Sequence, residues 1–413
     1  MKVLALAGYD SFLNTARLIA PYFERQGALV EFALVKARQS KQITPEQVSD
    51  LGISKPVRMV DLKQLCRSGE ILNYDVVLSC LEGLSTRRLV HYLVEHGDQR
   101  PYVVCVYPGL ILRYAYDGFS MRAAADQLWL NSKRDVKAYT AMGKSFGLEV
   151  SNARLFGNAS LLETVVREEN AEKSGPIVFF EQAVIPRFYE ERKYLVSELC
   201  TLARRFPERQ LLVKARAAGK KATLHRAWHA IEDLLQEHAE IGKQIPDNLH
   251  LTEEKAHVLL GKAAHCITVS STVAVEALYA NVPTTILSDF GAHDDYGLQY
   301  FYGSGLLRSF KEFDLVPSNN LSQQWLDENT NDPKAQIENL VCDVIEKSKA
   351  PRRPIEPFFN CQQASKLREQ LIEIEEEYFL LQKYKQKLST VLSLRSYLRS
   401  RKRQTYSALR KLF

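Results

Sequence analysis

Residues Cys266 to Leu278, Cys-Ile-Thr-Val-Ser-Ser-Thr-Val-Ala-Val-Glu-Ala-Leu, set a β-branched run, three hydroxyl residues and a helix-forming run in direct succession. Ser270, Ser271 and Thr272 therefore stand where a strand turns into a helix. Residues of this type cap the unpaired N–H groups of a first helical turn, and the same N–H groups, aided by the helix dipole, can hold a phosphate. Glu276 falls one turn further along the same helix face, where a carboxylate can accept hydrogen bonds from ribose hydroxyls. Together the turn and the glutamate suggest a nucleotide site. The competing reading is an ordinary capped turn followed by a solvated glutamate.

Transfer chemistry at such a site needs cations for the departing phosphate and a base for the attacking group. Lys214 and Arg216 follow the strand expected over Gln210 to Val213, and His225 lies in the loop beyond it. All three can neutralise developing negative charge. The alternatives are a solvated strand end for the first two and a cap or surface role for His225. Asp10 follows the first strand and Glu82 lies just past the strand expected over Val76 to Cys80, with Gly83 permitting close backbone approach. Either carboxylate can serve as the base, although Asp10 can equally cap the helix that starts near Ser11. Arg113 and Arg122 can meet an anionic acceptor or be ordinary surface arginines. His293, Asp294 and Asp295 are neighbours on one loop, a poor arrangement for converging on one ion, so no metal is expected.

Holding these residues requires alternating strands and helices, and the sequence supplies them. Strand-like runs over Val3 to Ala7, Val30 to Val35, Val76 to Cys80, Tyr102 to Tyr107 and Leu128 to Leu130 alternate with helical segments, an α/β pattern with a doubly wound parallel sheet. After a polar stretch around Glu168 to Gly175 the pattern restarts with Pro176 to Phe180, Gln210 to Val213, Leu249 to Leu251, Cys266 to Val269 and Thr284 to Leu287. We expect a first α/β domain over 1–170, a second over 176–330, a helical segment over 331–380 and a basic amphipathic tail over 381–413. At 413 residues the chain exceeds what one hydrophobic core usually supports, and two lobes with a cleft between them follow. Its seven cysteines contain no Cys-x-x-Cys pair, which argues against a zinc or disulfide framework.

The second half carries Phe180-Glu-Gln-x-x-x-Pro186, Leu211-Leu-Val-Lys-Ala-Arg216, Thr268-Val-Ser-Ser-Thr272 with Glu276-Ala-Leu278, and Leu287-Ser-Asp-Phe-Gly291 with Ser304-Gly-Leu-Leu307. The first half adds Asp10-Ser11-x-Leu13, Glu82-Gly83, Arg100-Pro101 and Tyr107-Pro-Gly109. In order and spacing these resemble a family of bacterial glycosyltransferases of the GT-B fold, over roughly residues 2 to 325. More distantly, the serine turn is similar to the CMP-phosphate turn of bacterial sialyltransferases, polysialyltransferases and capsule Kdo transferases. The nearest match to the His-Pro pair of those families is Thr223-Leu-His225, which Arg226 follows. The resemblance implies two Rossmann-like lobes facing a cleft, the first an acceptor domain and the second a nucleotide-sugar donor domain, and metal-independent sugar transfer to a surface glycan or its lipid-linked precursor. The donor is expected to be a CMP-activated nonulosonic acid or Kdo, bound as a co-substrate with no resident cofactor. A UDP- or GDP-sugar or CDP-alditol donor, or a non-catalytic nucleotide-sugar binding module, are the alternatives.

Charge sets the tail apart. Residues 381–413 hold ten Lys and Arg and no acid, so the net +6 of the chain resides there. Leucines and the rings of Tyr397 and Tyr406 interleave with these cations, which fits a helix on an anionic membrane surface or, alternatively, a solvated or self-associating helix. No nucleic-acid-binding fold accompanies the charge. With no signal peptide and no apolar run near the ~20 residues needed to cross a bilayer, the expected location is the cytoplasm, peripheral to the inner membrane face.

Overall fold

Strands buried on both faces need nearly continuous apolar runs, and the chain uses them to build two parallel sheets. The computed structural model describes residues 1–36, 43–147, 150–215, 229–315 and 321–352. Arg216, His225 and everything read into residues 353–413, the membrane tail included, lie outside the described residues.

The first sheet comprises β1 (Lys2–Ala7), β2 (Leu29–Val35), β3 (Val57–Val60), β4 (Val76–Cys80), β5 (Tyr102–Val106), β6 (Gln127–Leu130) and β7 (Ala153–Leu155), in the order β3-β2-β1-β4-β5-β6-β7. The second comprises β8 (Ile177–Phe180), β9 (Leu211–Lys214), β10 (Leu249–Thr252), β11 (His265–Thr268), β12 (Thr284–Leu287) and β13 (Leu307–Arg308), in the order β10-β9-β8-β11-β12-β13. All pairings are parallel. In each sheet the strand order reverses once, between β1 and β4 and between β8 and β11, and ligands of open α/β sheets bind outside the carboxyl ends of the strands at such reversals. This is the GT-B arrangement of two Rossmann-like lobes.

The polar stretch between the lobes is anchored. Arg167 Nη1 donates to the carbonyls of Leu260 and Ala263, both at 2.7 Å, and so satisfies acceptors at the end of the helix Ala256–Lys262. Residues 331–352 are the described part of the helical segment expected over 331–380. The helix Ile337–Lys347 buries Ile337, Leu340, Val341 and Val344 in the first-lobe core with Trp129 and Phe156. The chain thus crosses back to the lobe in which it began. Among the described residues no helix is long and apolar enough to cross a membrane.

One buried acid makes stability depend on pH. Ser132 caps the helix Lys133–Ser145, accepting from the Asp135 N–H at 3.1 Å and donating to Asp135 Oδ2 at 2.8 Å. Burial nevertheless lifts the Asp135 carboxyl from 3.8 to about 6, with the Ser132 bonds pulling the other way. The folded value lies above the unfolded one, so stability from this group is complete below about pH 4 and is lost as pH rises through about 6. Asp135→Asn should therefore stabilise the protein at pH 8 by up to about 3 kcal/mol, each tenfold change in acidity being worth ~1.4 kcal/mol, and leave it unchanged near pH 3.5. Urea unfolding at the two pH values checks this.

Candidate active site between the lobes

β11 ends and the chain turns sharply into the short helix Val273–Tyr279. What shapes that turn is Gln182, just after β8 at the reversal of the second sheet. Its Oε1 accepts the Ser270 N–H at 2.8 Å and its Nε2 donates to Ser270 Oγ at 3.3 Å. Ser270 is 1% exposed, and both of its polar groups serve the turn itself. Ser270, expected at the phosphate, thus has its amide N–H and its hydroxyl oxygen engaged by Gln182. Ser271 Oγ accepts the Val273 N–H at a long 3.4 Å, and Thr272, at the cap position, makes no side-chain capping bond. Among the described residues the Ser271 and Thr272 N–H groups meet no acceptor.

The Thr272 hydroxyl instead faces the first lobe, where its Oγ1 accepts the Leu110 N–H at 3.3 Å. A Cβ on Gly109 would stand 2.7 Å from the same oxygen, so the Tyr107-Pro-Gly turn needs glycine for this close approach. Nearby, Arg113 Nη1 donates to the Asp295 carbonyl at 2.6 Å and Gln299 Nε2 to the Leu112 carbonyl at 3.1 Å. The loop after β5 is therefore docked on the second lobe, and the carboxyl ends of both sheets meet there.

On the first-lobe side, Glu82 lies beyond β4 at the other reversal. Its Oε1 accepts from Ser85 Oγ, while Oε2 is buried with no partner and sits where a Cβ on Gly8 would come within 2.8 Å. Asp10 differs, since its Oδ1 accepts the Ser11 N–H at 2.8 Å in the first turn of the helix Asp10–Arg25. Asp10 thus spends one oxygen on a first-turn amide, the cap position itself being Tyr9, while Glu82 is the carboxylate with a buried oxygen that has no partner. Further buried polar atoms without partners follow the neighbouring strands: Tyr107 OH after β5, Asn131 Oδ1 after β6, and the Asn158 amide and Ser160 Oγ after β7. Asn131 Nδ2 donates to the Gly109 carbonyl at 2.6 Å, and the Gly157 N–H donates to Leu130 at 3.1 Å, so Asn131 and Asn158 leave the sheet side by side. A buried unsatisfied polar group costs roughly 1–3 kcal/mol, and a concentration of them at strand carboxyl ends marks a surface built to meet a ligand or water.

Arg122 is neither a surface arginine nor open to an acceptor, being 4% exposed. It donates to the Leu81 carbonyl at 2.8 Å and the Gly118 carbonyl at 3.0 Å, and stacks 4.3 Å over the Tyr107 ring, bracing the peptide that leads into Glu82. Burial pushes the Tyr107 phenol up, with Arg122 opposing. Lys214 Nζ donates to the Glu253 carbonyl at 2.8 Å and ties the ends of β9 and β10 together. Glu276 is half-buried and, after burial, is the second cause raising the Cys266 thiol. Gln182, Asn131, Asn158 and Ser160 were assigned no site chemistry in the sequence reading. The signal for Gln182 was its place in the Phe180-Glu-Gln motif, two residues past β8. No group of three or more His, Cys, Asp or Glu among the described residues is placed to hold a metal ion.

A family model, DUF6716, described as "Putative glycosyltransferase", matches residues 3–344. No curated protein sequence matches the chain. Several solved structures share the fold. The UDP-GlcNAc 2-epimerase of Methanocaldococcus jannaschii, in complex with UDP-GlcNAc and UDP, superposes with a TM-score of 0.55 at 13% identity, covering 84% of this chain and 100% of that one. The S. aureus MnaA co-structure with UDP gives 0.56 at 13% identity, covering 84% and 96%. Anabaena Alr3699/HepE in complex with UDP and glucose gives 0.51 at 13% identity, covering 84% and 100%.

Proposed function

The chain belongs to the DUF6716 family of putative glycosyltransferases, and on that premise we propose that it moves a sugar from a nucleotide donor in the second lobe to a glycan or lipid-linked acceptor in the first. The observation carrying this reading is the contact of Thr272, past the reversal of the second sheet, with Gly109 and Leu110 in the loop after β5, one strand from the reversal of the first, which sets the carboxyl ends of both sheets against each other. The Ser271 and Thr272 amides hold the phosphate, Gln182 and Ser270 shape the turn around it, and Glu276 takes the ribose. Glu82 removes the proton from the acceptor hydroxyl. That oxygen bonds to the anomeric carbon as the bond from carbon to phosphate oxygen breaks, releasing the nucleotide. Arg216 and His225 keep their proposed part in neutralising the leaving phosphate.

The donor is read as uridine-linked, because solved proteins of this fold bind UDP or UDP-sugars. A CMP-linked nonulosonic acid or Kdo is the second reading, favoured by the paired serines of the turn. Calorimetry with UDP, CMP, CDP and GDP separates the two. UDP should bind tightest, and Gln182→Leu should weaken it roughly tenfold, since two hydrogen bonds at ~0.5–1.5 kcal/mol each stop holding the turn. Binding of CMP without UDP moves the donor to the second reading. No response to any of the four ends the nucleotide assignment.

A further inference from the structure

At the amino ends of β11, β12 and β13, the edge of the second sheet opposite the cleft, lies a pocket of about 350 Å³. That volume falls within the range of small-molecule sites. Glu172, Glu312 and Asp314 bring three carboxylates to its wall, and Leu278, Val282 and Leu306 supply apolar surface. Among the described residues its one guanidinium, Arg308, donates to the carbonyl of Leu307 at 2.6 Å. Among the described residues the lining thus carries three carboxylates, of which Glu312 also accepts from Ser309, and one guanidinium. His265 also lines it, 3% exposed, with Nε2 placed 2.9 Å from Thr285 Oγ1 and Nδ1 buried without a partner. Burial, opposed by Asp314, brings the imidazole down to about 4, so it adds no positive charge at neutral pH. In the tautomer whose Nε2–H donates to Thr285, Nδ1 is an acceptor awaiting a donor.

The carboxylates are spread over the wall. Among the described residues no three such groups converge to hold a metal ion, so the complementary ligand is an extended cation with donors at separated points and an apolar body between them.

We propose that this pocket binds a small aliphatic amine, a diamine or polyamine, with ammonium groups toward Asp314, Glu312 and Glu172 and methylenes against Leu278, Val282 and Leu306. The site is separate from the cleft, and its occupancy requires neither donor nor acceptor sugar. Putrescine and spermidine titrated into the full-length protein by calorimetry at physiological ionic strength test it, with inorganic phosphate as the anionic comparison. Saturable binding of one amine per chain is expected, weakened about tenfold or more by Asp314→Asn and by Glu312→Gln, the scale of one charge-assisted hydrogen bond. Glu346→Gln, on the helix that returns to the first lobe, should bind as the unsubstituted protein does. The proposal fails if neither amine saturates, if phosphate binds in their place, or if the two pocket variants bind no more weakly than the control variant. Thermal unfolding of each variant beforehand confirms that the exposed Glu312 substitution, at least, leaves a folded protein to titrate.

Discussion

Glu82→Gln should lower turnover by about 10²–10⁴-fold, the usual contribution of a positioned base, while nucleotide affinity stays within about twofold. The asymmetry follows from where the group acts. A base gains its interaction in the transition state, and the proposed nucleotide site is on the other lobe. Glutamine keeps the size of the side chain and the acceptor that Ser85 uses, but it cannot take a proton. Gly8→Ala offers an independent route to the same loss, because the added methyl group would stand 2.8 Å from Glu82 Oε2 and displace it with no change of charge. Asp10→Asn should have the smaller effect, since its Oδ1 is held by the Ser11 amide in the first turn of a helix. Release of nucleotide from a donor identified by calorimetry measures all three. Turnover near that of the unsubstituted enzyme for both Glu82→Gln and Gly8→Ala would falsify the assignment of Glu82 as base.

Much of this site could be read in the sequence because its backbone is dictated locally. β1, β4, β5, β8, β11 and β12 are runs buried along nearly their whole length, so apolar continuity announces them. Residues immediately after such runs, Glu82 and Ser270 among them, are then placed at strand carboxyl ends without further information. The edge strands β3, β7 and β13 escaped the sequence reading for a physical reason, since half-exposed residues such as Arg58, Met59, Arg154 and Arg308 break the apolar run. The roles within the turn were not legible for another reason. Ser270 and Gln182 are 88 residues apart, and nothing local says that an amide will occupy both polar groups of the serine. Helix Ile337–Lys347 has an amphipathic pattern that any packing partner would satisfy, so the sequence shows an apolar face without showing that it returns to the first lobe. Conversely, Arg100-Pro101 carried family resemblance without site chemistry. Arg100 pairs with Asp126 through two bonds of 2.6 and 2.8 Å at the amino end of β5, away from the cleft.

The Phe180-Glu-Gln motif couples stability to the site, and Arg192→Ala should expose that coupling. Glu181 precedes Gln182 and forms an ion pair with Arg192 of the helix Tyr189–Arg205, their side chains 4% and 2% exposed. Arg192 Nη1 also donates to the Pro186 carbonyl at 3.2 Å, closing the loop that follows the motif. Removing the arginine takes the Arg192 charge away from a carboxylate buried beside the second-lobe core, a change that costs about 3–5 kcal/mol. This is a large part of the ~5–15 kcal/mol typical of a domain. Urea unfolding should show the midpoint falling while the slope is kept, as expected for lost stability without a changed denatured state. Because a buried ion pair contributes little net stability against apolar packing, Arg192→Met combined with Glu181→Leu should recover most of the loss. The recovered double variant then separates two roles. If the pair serves only the core, nucleotide affinity returns with stability. If the charge of Glu181 also fixes the loop carrying Gln182, the double variant folds yet binds nucleotide as weakly as Gln182→Leu, and the ion pair belongs to the binding site as much as to the core.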